Sequence, residues 1–202
     1  MRTLNLLIIM VVALGCDKPP LACPVDKGFI SDVAKEQDGR QTHLNKVIPQ
    51  WINRFHFDDL SNGVPGFQVR IWVGEPVTTC GRKVYSIKYD GKDLYGNVHE
   101  FSDLESCEDG MGLKKRKLSG SLNKLLLKFV EHDIIGMPDM RKVNGYDIYS
   151  THGGFAVVEV STCGLYRYYE YADLFENVKN GIVEAQKMQF ILDELKVHEA
   201  RY

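Results

Sequence analysis

At 202 residues, with 44% apolar and 26% charged side chains, the chain has the composition of one globular domain rather than of a disordered tract. Its 25 Lys and Arg against 27 Asp and Glu leave a net charge of −2, which argues against the basic face that a dedicated nucleic-acid binder needs.

The chain opens on a leader. Met1-Arg2-Thr3 carries one positive charge, Leu4 to Leu14 is apolar apart from Asn5, and Gly15-Cys16 precedes the polar run Asp17-Lys18-Pro19-Pro20. A charged start, a short apolar run and a small residue before a cut make a secretory signal. The apolar run is too short for a spanning helix, which needs ~20 residues. Ala13-Leu14-Gly15-Cys16 resembles the lipobox of bacterial lipoproteins, with Ala13 where that family has a branched apolar residue and Leu14 where it has a small one. The resemblance implies removal of residues 1–15, acylation of Cys16 and anchorage in the bacterial cell envelope, on the periplasmic face in a Gram-negative host. Asp17 resembles the signal that holds some lipoproteins in the inner membrane. The alternative is simple secretion of a soluble product cut nearby. Loss of Arg2 with the leader leaves 24 basic against 27 acidic residues, a charge of −3.

Residues 16–30, with Pro19, Pro20, Pro24 and Gly28, read as a tether that holds a folded body, residues 31–202, off a membrane. Residues 31–43 are polar. Leu44, Val47, Ile48, Trp51, Ile52 and Phe55 have helical spacing, and Pro49 within the run predicts a short helix over roughly 48–56 with the proline in its first turn.

Phe67, Val69, Ile71 and Val73 alternate with polar neighbours, as do Tyr85, Ile87 and Tyr89. With the Asp90-Gly91 turn and a return strand over Leu94 to Phe101, residues 67–101 predict a three-stranded antiparallel meander. Leu118, Leu122, Leu125, Leu126 and Phe129 then share a helical face, with Ser119 or Ser121 as its cap and an end before Gly136. A second meander follows in the pattern: Tyr146 to Ser150, Phe155 to Thr162, and Leu165 to Tyr171. Asp173-Leu174-Phe175-Glu176 has capping-box spacing ahead of a long apolar stripe through Val178, Ile182, Ala185, Met188, Ile191, Leu192 and Leu195. The predicted fold is α+β: antiparallel sheet from two three-stranded meanders, each followed by a helix, in one domain.

Five cysteines stand at 16, 23, 80, 107 and 163. With Cys16 lipidated, four remain, and an even number in an exported chain predicts two disulfides. Alternate loops of a meander fall at the same end of the sheet, which favours Cys80–Cys107 and leaves Cys23–Cys163. No cysteine or histidine spacing offers a zinc site, and no motif calls for a cofactor.

No catalytic motif stands out: there is no GxSxG elbow, HExxH pair or phosphate loop. His152-Gly153-Gly154 is sufficiently explained as a turn. Two surface features remain as candidate binding residues. Lys114-Lys115-Arg116-Lys117 offers four cations to anionic headgroups or wall polymers, or is a solvated loop. Tyr166 and Tyr168, with Arg167 between them, offer a stacking surface for sugar or protein, or point into the core.

The reading these features favour is a non-enzymatic envelope lipoprotein that binds a partner protein or a wall component. The alternatives are a hydrolase whose site forms only in the fold, from groups such as Asp58 and Asp59, His99 with Glu100, or His132 with Asp133, and a structural subunit of an envelope complex.

Overall fold

The computed structural model describes residues 30–33, 43–74, 81–102, 112–147 and 154–199. The leader, the tether up to residue 29, Cys16, Cys23, Cys80, Cys107 and His152 lie outside them.

Seven strands form one mixed sheet: β1 (Ile30–Val33), β2 (Phe67–Gly74), β3 (Arg82–Tyr89), β4 (Leu94–Phe101), β5 (Leu113–Lys117), β6 (Phe155–Thr162) and β7 (Leu165–Ala172), in the spatial order β1-β7-β6-β2-β3-β4-β5. All neighbours are antiparallel except β1, which runs parallel to β7. One face carries helix α1 (His43–Phe55). The other carries α2 (Leu122–Glu131), α3 (Leu174–Lys179) and α4 (Val183–His198). The fold is α+β.

The first meander lies where alternation places it, as β2-β3-β4 in unbroken antiparallel register. The alternation assigns two cores. Val69, Ile71, Tyr85, Ile87 and Val98 meet Leu125 and Phe129 of α2 and Met188, Ile191 and Leu195 of α4. Trp72, Val84, Phe101, Val157, Tyr166 and Tyr168 meet Ile48 and Trp51 of α1. Gly66, at φ 78°, lets the chain enter β2: a side chain there would meet the Tyr89 carbonyl oxygen at 2.1 Å.

Several boundaries differ from expectation. Helix α1 begins at His43 and holds Pro49 in its interior. The proline removes a backbone donor, but the buried face of Ile48 and Trp51 outweighs that loss. The basic run is not a loop: it is the edge strand β5. The expected strand over Tyr146 to Ser150 is absent at 146–147, and residues 148–150 lie outside the described set, so the second β unit there is the β6-β7 hairpin. The last helix is two helices. Asn180-Gly181, a turn dipeptide inside the apolar stripe, breaks it, with Gly181 at φ 79°. Asp173 sits at the cap position in a left-handed conformation, φ 52°, and makes no side-chain capping bond. Ser121, in contrast, caps α2 by accepting from the Lys124 N–H.

The chain's far end is fastened to the sheet. Glu199 forms an isolated bridge with Leu118, accepts from Lys83 Nζ at 2.8 Å and from the Tyr85 hydroxyl, and faces Arg116 at 3.7 Å. Burial alone would raise the Glu199 pKa, but the bonds from Lys83 and Tyr85 and the charges of Lys83 and Arg116 bring it below the ordinary 4.5. A depressed carboxylate contributes stability that is present above its unfolded pKa and lost as pH falls through the folded one. Glu199→Gln is therefore expected to be less stable than the parent at neutral pH, with the gap closing below about pH 4.5. Urea denaturation at a series of pH values reads the two curves. A gap of constant size down to pH 3 would show that the carboxylate charge is not what matters.

Candidate functional site

The face of β2–β5 that carries α1 is only half covered. At one end Trp72, Val84 and Phe101 lie under Trp51 and Phe55. Beyond them the same face turns polar. Gln68 and Arg70 of β2, Ser86 and Lys88 of β3, Tyr95, Asn97 and His99 of β4, and Lys115 and Lys117 of β5 line an open groove of about 800 Å³. The turn after α1 supplies its rim with His56, Phe57 and Asp58.

Register explains the assembly. Lys117 stands beside Asn97 and Lys115 beside His99. Period two then sends Lys115 and Lys117 into the groove. Their neighbour Arg116 turns its side chain to the opposite face, where it pairs with Glu100 and Glu199. Asp58 is 3.9 Å from Lys88. Among the described residues Lys115 and Lys117 make no ion pair. The groove therefore presents Arg70, Lys88, Lys115 and Lys117 against Asp58 and Asp90, a positive surface on a chain of net negative charge.

Its floor is built on a buried ion pair. Arg70 and Glu159 are each 1% exposed, and Arg70 Nη1 lies 3.3 Å from Glu159 Oε2. Arg70 Nη2 donates to the Asp58 carbonyl at 2.7 Å. Glu159 also accepts from Trp72 Nε1 at 2.7 Å and from the Tyr166 hydroxyl at 3.1 Å. Gln68 Nε2 donates to the Ser86 hydroxyl at 3.0 Å. His99 packs edge-on against Phe57 with ring centroids 5.0 Å apart. Burial, and then the charges of Lys115 and Arg70, hold its pKa below 6.5, so at neutral pH the ring is uncharged and offers one donor and one acceptor.

Four buried polar side-chain atoms among the described residues lack a hydrogen-bond partner: Gln68 Oε1, Arg70 Nε, His99 Nδ1 and the Tyr168 hydroxyl. Three belong to residues that line the groove. Buried polar groups are nearly always paired, so three such atoms beneath one groove set these residues apart from the rest of the sheet.

The residues singled out from sequence are distributed differently from expectation. Lys115, Arg116 and Lys117 all border the groove, with the Arg116 guanidinium held on the other face by Glu100 and Glu199, and Lys114 stands beside Glu100. Tyr166 and Tyr168 are not an exposed stacking surface: both are buried under α1, because β7 is an interior strand covered on both faces. Arg167 is bonded to Asp32 at 3.1 Å and to the backbone carbonyls of Ile135 and Met137, a structural role. His99 and Glu100, adjacent in sequence, lie on opposite faces of the sheet. His132 stacks on Phe190 at 3.9 Å, with no partner from Asp133. Cys163, in the β6-β7 turn, is disulfide-bonded, and the other half of that bond lies outside the described residues. Among the described residues, no cluster of His, Cys, Asp and Glu has metal-binding geometry, and no helix is long and apolar enough to cross a membrane.

Arg70 and Glu159 were not singled out from sequence. The available signal was a lone charge in the middle of each of two apolar strands, Phe67-Gln68-Val69-Arg70-Ile71-Trp72 and Val157-Val158-Glu159-Val160. Opposite charges buried in two strands pair, and the register sets Arg70 directly beside Glu159. No protein-family model and no curated protein matches the chain.

Proposed function

We propose that this is an exported, lipid-anchored protein of the bacterial cell envelope that acts without catalysis, by binding an acidic glycan in the groove over β2–β5. The observation that carries the reading is the pairing of unpartnered floor atoms with unpaired cations above them. Gln68 Oε1, Arg70 Nε and His99 Nδ1 suit sugar hydroxyls, and Lys115 and Lys117 suit carboxylate or phosphate groups. A protein partner is supported less well, since protein interfaces centre on an apolar core and the lining includes only Phe57 and Tyr95 as large aromatic side chains. Lysines on an edge strand also deter edge-to-edge pairing, but that role requires neither a groove nor unpartnered atoms beneath it.

Isothermal titration with an acidic oligosaccharide, oligogalacturonate, and a neutral one of equal length, maltooligosaccharide, tests this. The acidic ligand is expected to bind and the neutral one not, with affinity falling as salt rises. Lys115→Glu/Lys117→Glu is expected to weaken binding at least about tenfold without loss of stability, since both side chains are exposed. Equal binding of both sugars, or indifference to the charge reversal, would sink the proposal.

The envelope assignment rests on the leader and on Cys16. Thr162, just before Cys163 in sequence, stands beside Phe67, whereas Arg82, two residues after Cys80 in sequence, stands beside Gly74 at the opposite end of β2. The two ends of β2 lie about 23 Å apart. Phe101 and Leu113, which precede and follow Cys107 in sequence, stand at the Arg82 end as well. Ile30, seven residues after Cys23 in sequence, pairs with Leu165, two residues after Cys163. Cys23–Cys163 and Cys80–Cys107 are the pairings we favour. Intact-mass and non-reducing peptide mapping of the mature protein read the acyl group and both bonds together.

A further inference from the structure

Behind the groove, on the far side of the Arg70–Glu159 pair, lies a second and smaller cavity of about 340 Å³, between α1 and strands β6 and β7. Its character is the reverse of the groove's. The lining includes two carboxylates, Glu159 and Asp59, and no cation, with Ile48 and Ile52 of α1 as its apolar wall. The hydroxyl of Tyr168, a residue 5% exposed, is buried in this lining with no hydrogen-bond partner. Glu159 accepts from Arg70 and Trp72 on Oε2 and from Tyr166 on Oε1. A carboxylate has about four acceptor positions, so one remains on Oε1.

We infer that this cavity is a separate binding site for a small primary alkylamine. An ammonium group brings three donors and no acceptor. The site offers the complement: an acceptor position on Glu159, the lone pairs of the Tyr168 oxygen, and the nearby Asp59. The alkyl chain lies against Ile48 and Ile52. A carboxylate ligand would meet two like charges here, and a ligand without a donor would leave the Tyr168 oxygen as it is. The volume is at the lower end of that of small-molecule pockets, which limits the ligand to a few carbons. This site stands apart from the glycan reading and does not need it.

Trp72 provides the reporter, because its indole N–H is bonded to Glu159 Oε2. The 15N-labelled protein is titrated with n-butylammonium, n-butanol and butyrate. Butylammonium is expected to give saturable shifts of the Trp72 indole resonance and of the Ile52 and Tyr168 amides, at about millimolar strength for so small a ligand. Butyrate is expected to give none, and butanol only weak ones. Tyr168→Phe removes a buried hydroxyl that has no partner, so it should fold at least as stably as the parent and yet lose about tenfold in butylammonium affinity. A hydroxyl with a purely structural role would give the opposite pair of results. Equal responses to the three probes, shifts confined to groove residues, no saturation, or undiminished binding to the Tyr168→Phe variant would each overturn the assignment.

Discussion

Arg141→Ala is expected to lose about 3–5 kcal/mol of folding stability, the cost of stripping the partner from buried charge. The residue occupies the short 3-10 turn Met140–Lys142, which docks on β7. Its Nε and Nη2 hold both oxygens of Asp139 at 2.6 and 2.7 Å, and its Nη1 holds Glu170 at 2.6 Å. All three side chains are under 10% exposed. Asp139 also accepts from the backbone N–H of Glu170 at 2.9 Å. β1 pairs with β7 only as far as Tyr168, so this carboxylate takes over the sheet edge where β1 ends. Burial alone would lower the Arg141 pKa, but the bonds it donates to Asp139 and the charge of Glu170 more than reverse it. A cation with a raised pKa contributes stability at every pH below its unfolded value, so the wild-type triad adds no pH dependence from this group in the ordinary range. Arg141→Lys should recover little, because an ammonium cannot bridge both carboxylates in the fork geometry. Urea denaturation followed by circular dichroism measures all three; a loss below about 1 kcal/mol would show that the triad is not holding the turn.

How much of this was legible beforehand depended on whether neighbours in sequence or neighbours in space carried the information. The β2-β3-β4 meander and the buried face of α4 are period-two and period-3.6 patterns within single segments, and both read correctly. Ser121 as a cap is equally local. Lys114 to Lys117 failed as a strand because an edge strand facing solvent shows charge at every position and no alternation. The tyrosines of β7 failed as a surface because their exposure is set by what covers them. Tyr166 and Tyr168 lie under α1, and Tyr169 and Tyr171 lie in the opposite core with α2 and α4. β1 is four residues long and gains its place only by pairing with β7, more than 130 positions away. The groove gathers four strands and the turn after α1, so no stretch of sequence contains it.

The Arg70–Glu159 pair separates stability from recognition. Arg70→Met is expected to cost about 3–5 kcal/mol, because it leaves Glu159 buried without its counter-charge. Glu159 keeps two donors, Trp72 Nε1 and the Tyr166 hydroxyl, so the carboxylate is not stranded entirely. The methionine retains most of the arginine stem, which limits cavity formation, but the contacts of the guanidinium with the Phe57 and Trp72 rings, at 5.5 and 5.6 Å, are lost. Adding Glu159→Gln removes the remaining charge while the amide oxygen still accepts from Trp72. The double variant should recover most of the loss, since a buried pair contributes little against a neutral replacement once both desolvation costs are gone. The two changes would then show a coupling of about 2 kcal/mol or more in a double-mutant cycle. If the pair served stability alone, the recovered protein would behave like the parent in every assay. Instead it should bind oligogalacturonate more weakly, having lost the Arg70 donor in the groove floor, and butylammonium more weakly, having lost the Glu159 charge in the second cavity. Additive losses with no coupling, or full recovery of both binding activities, would refute this account of why a paired charge lies under the groove.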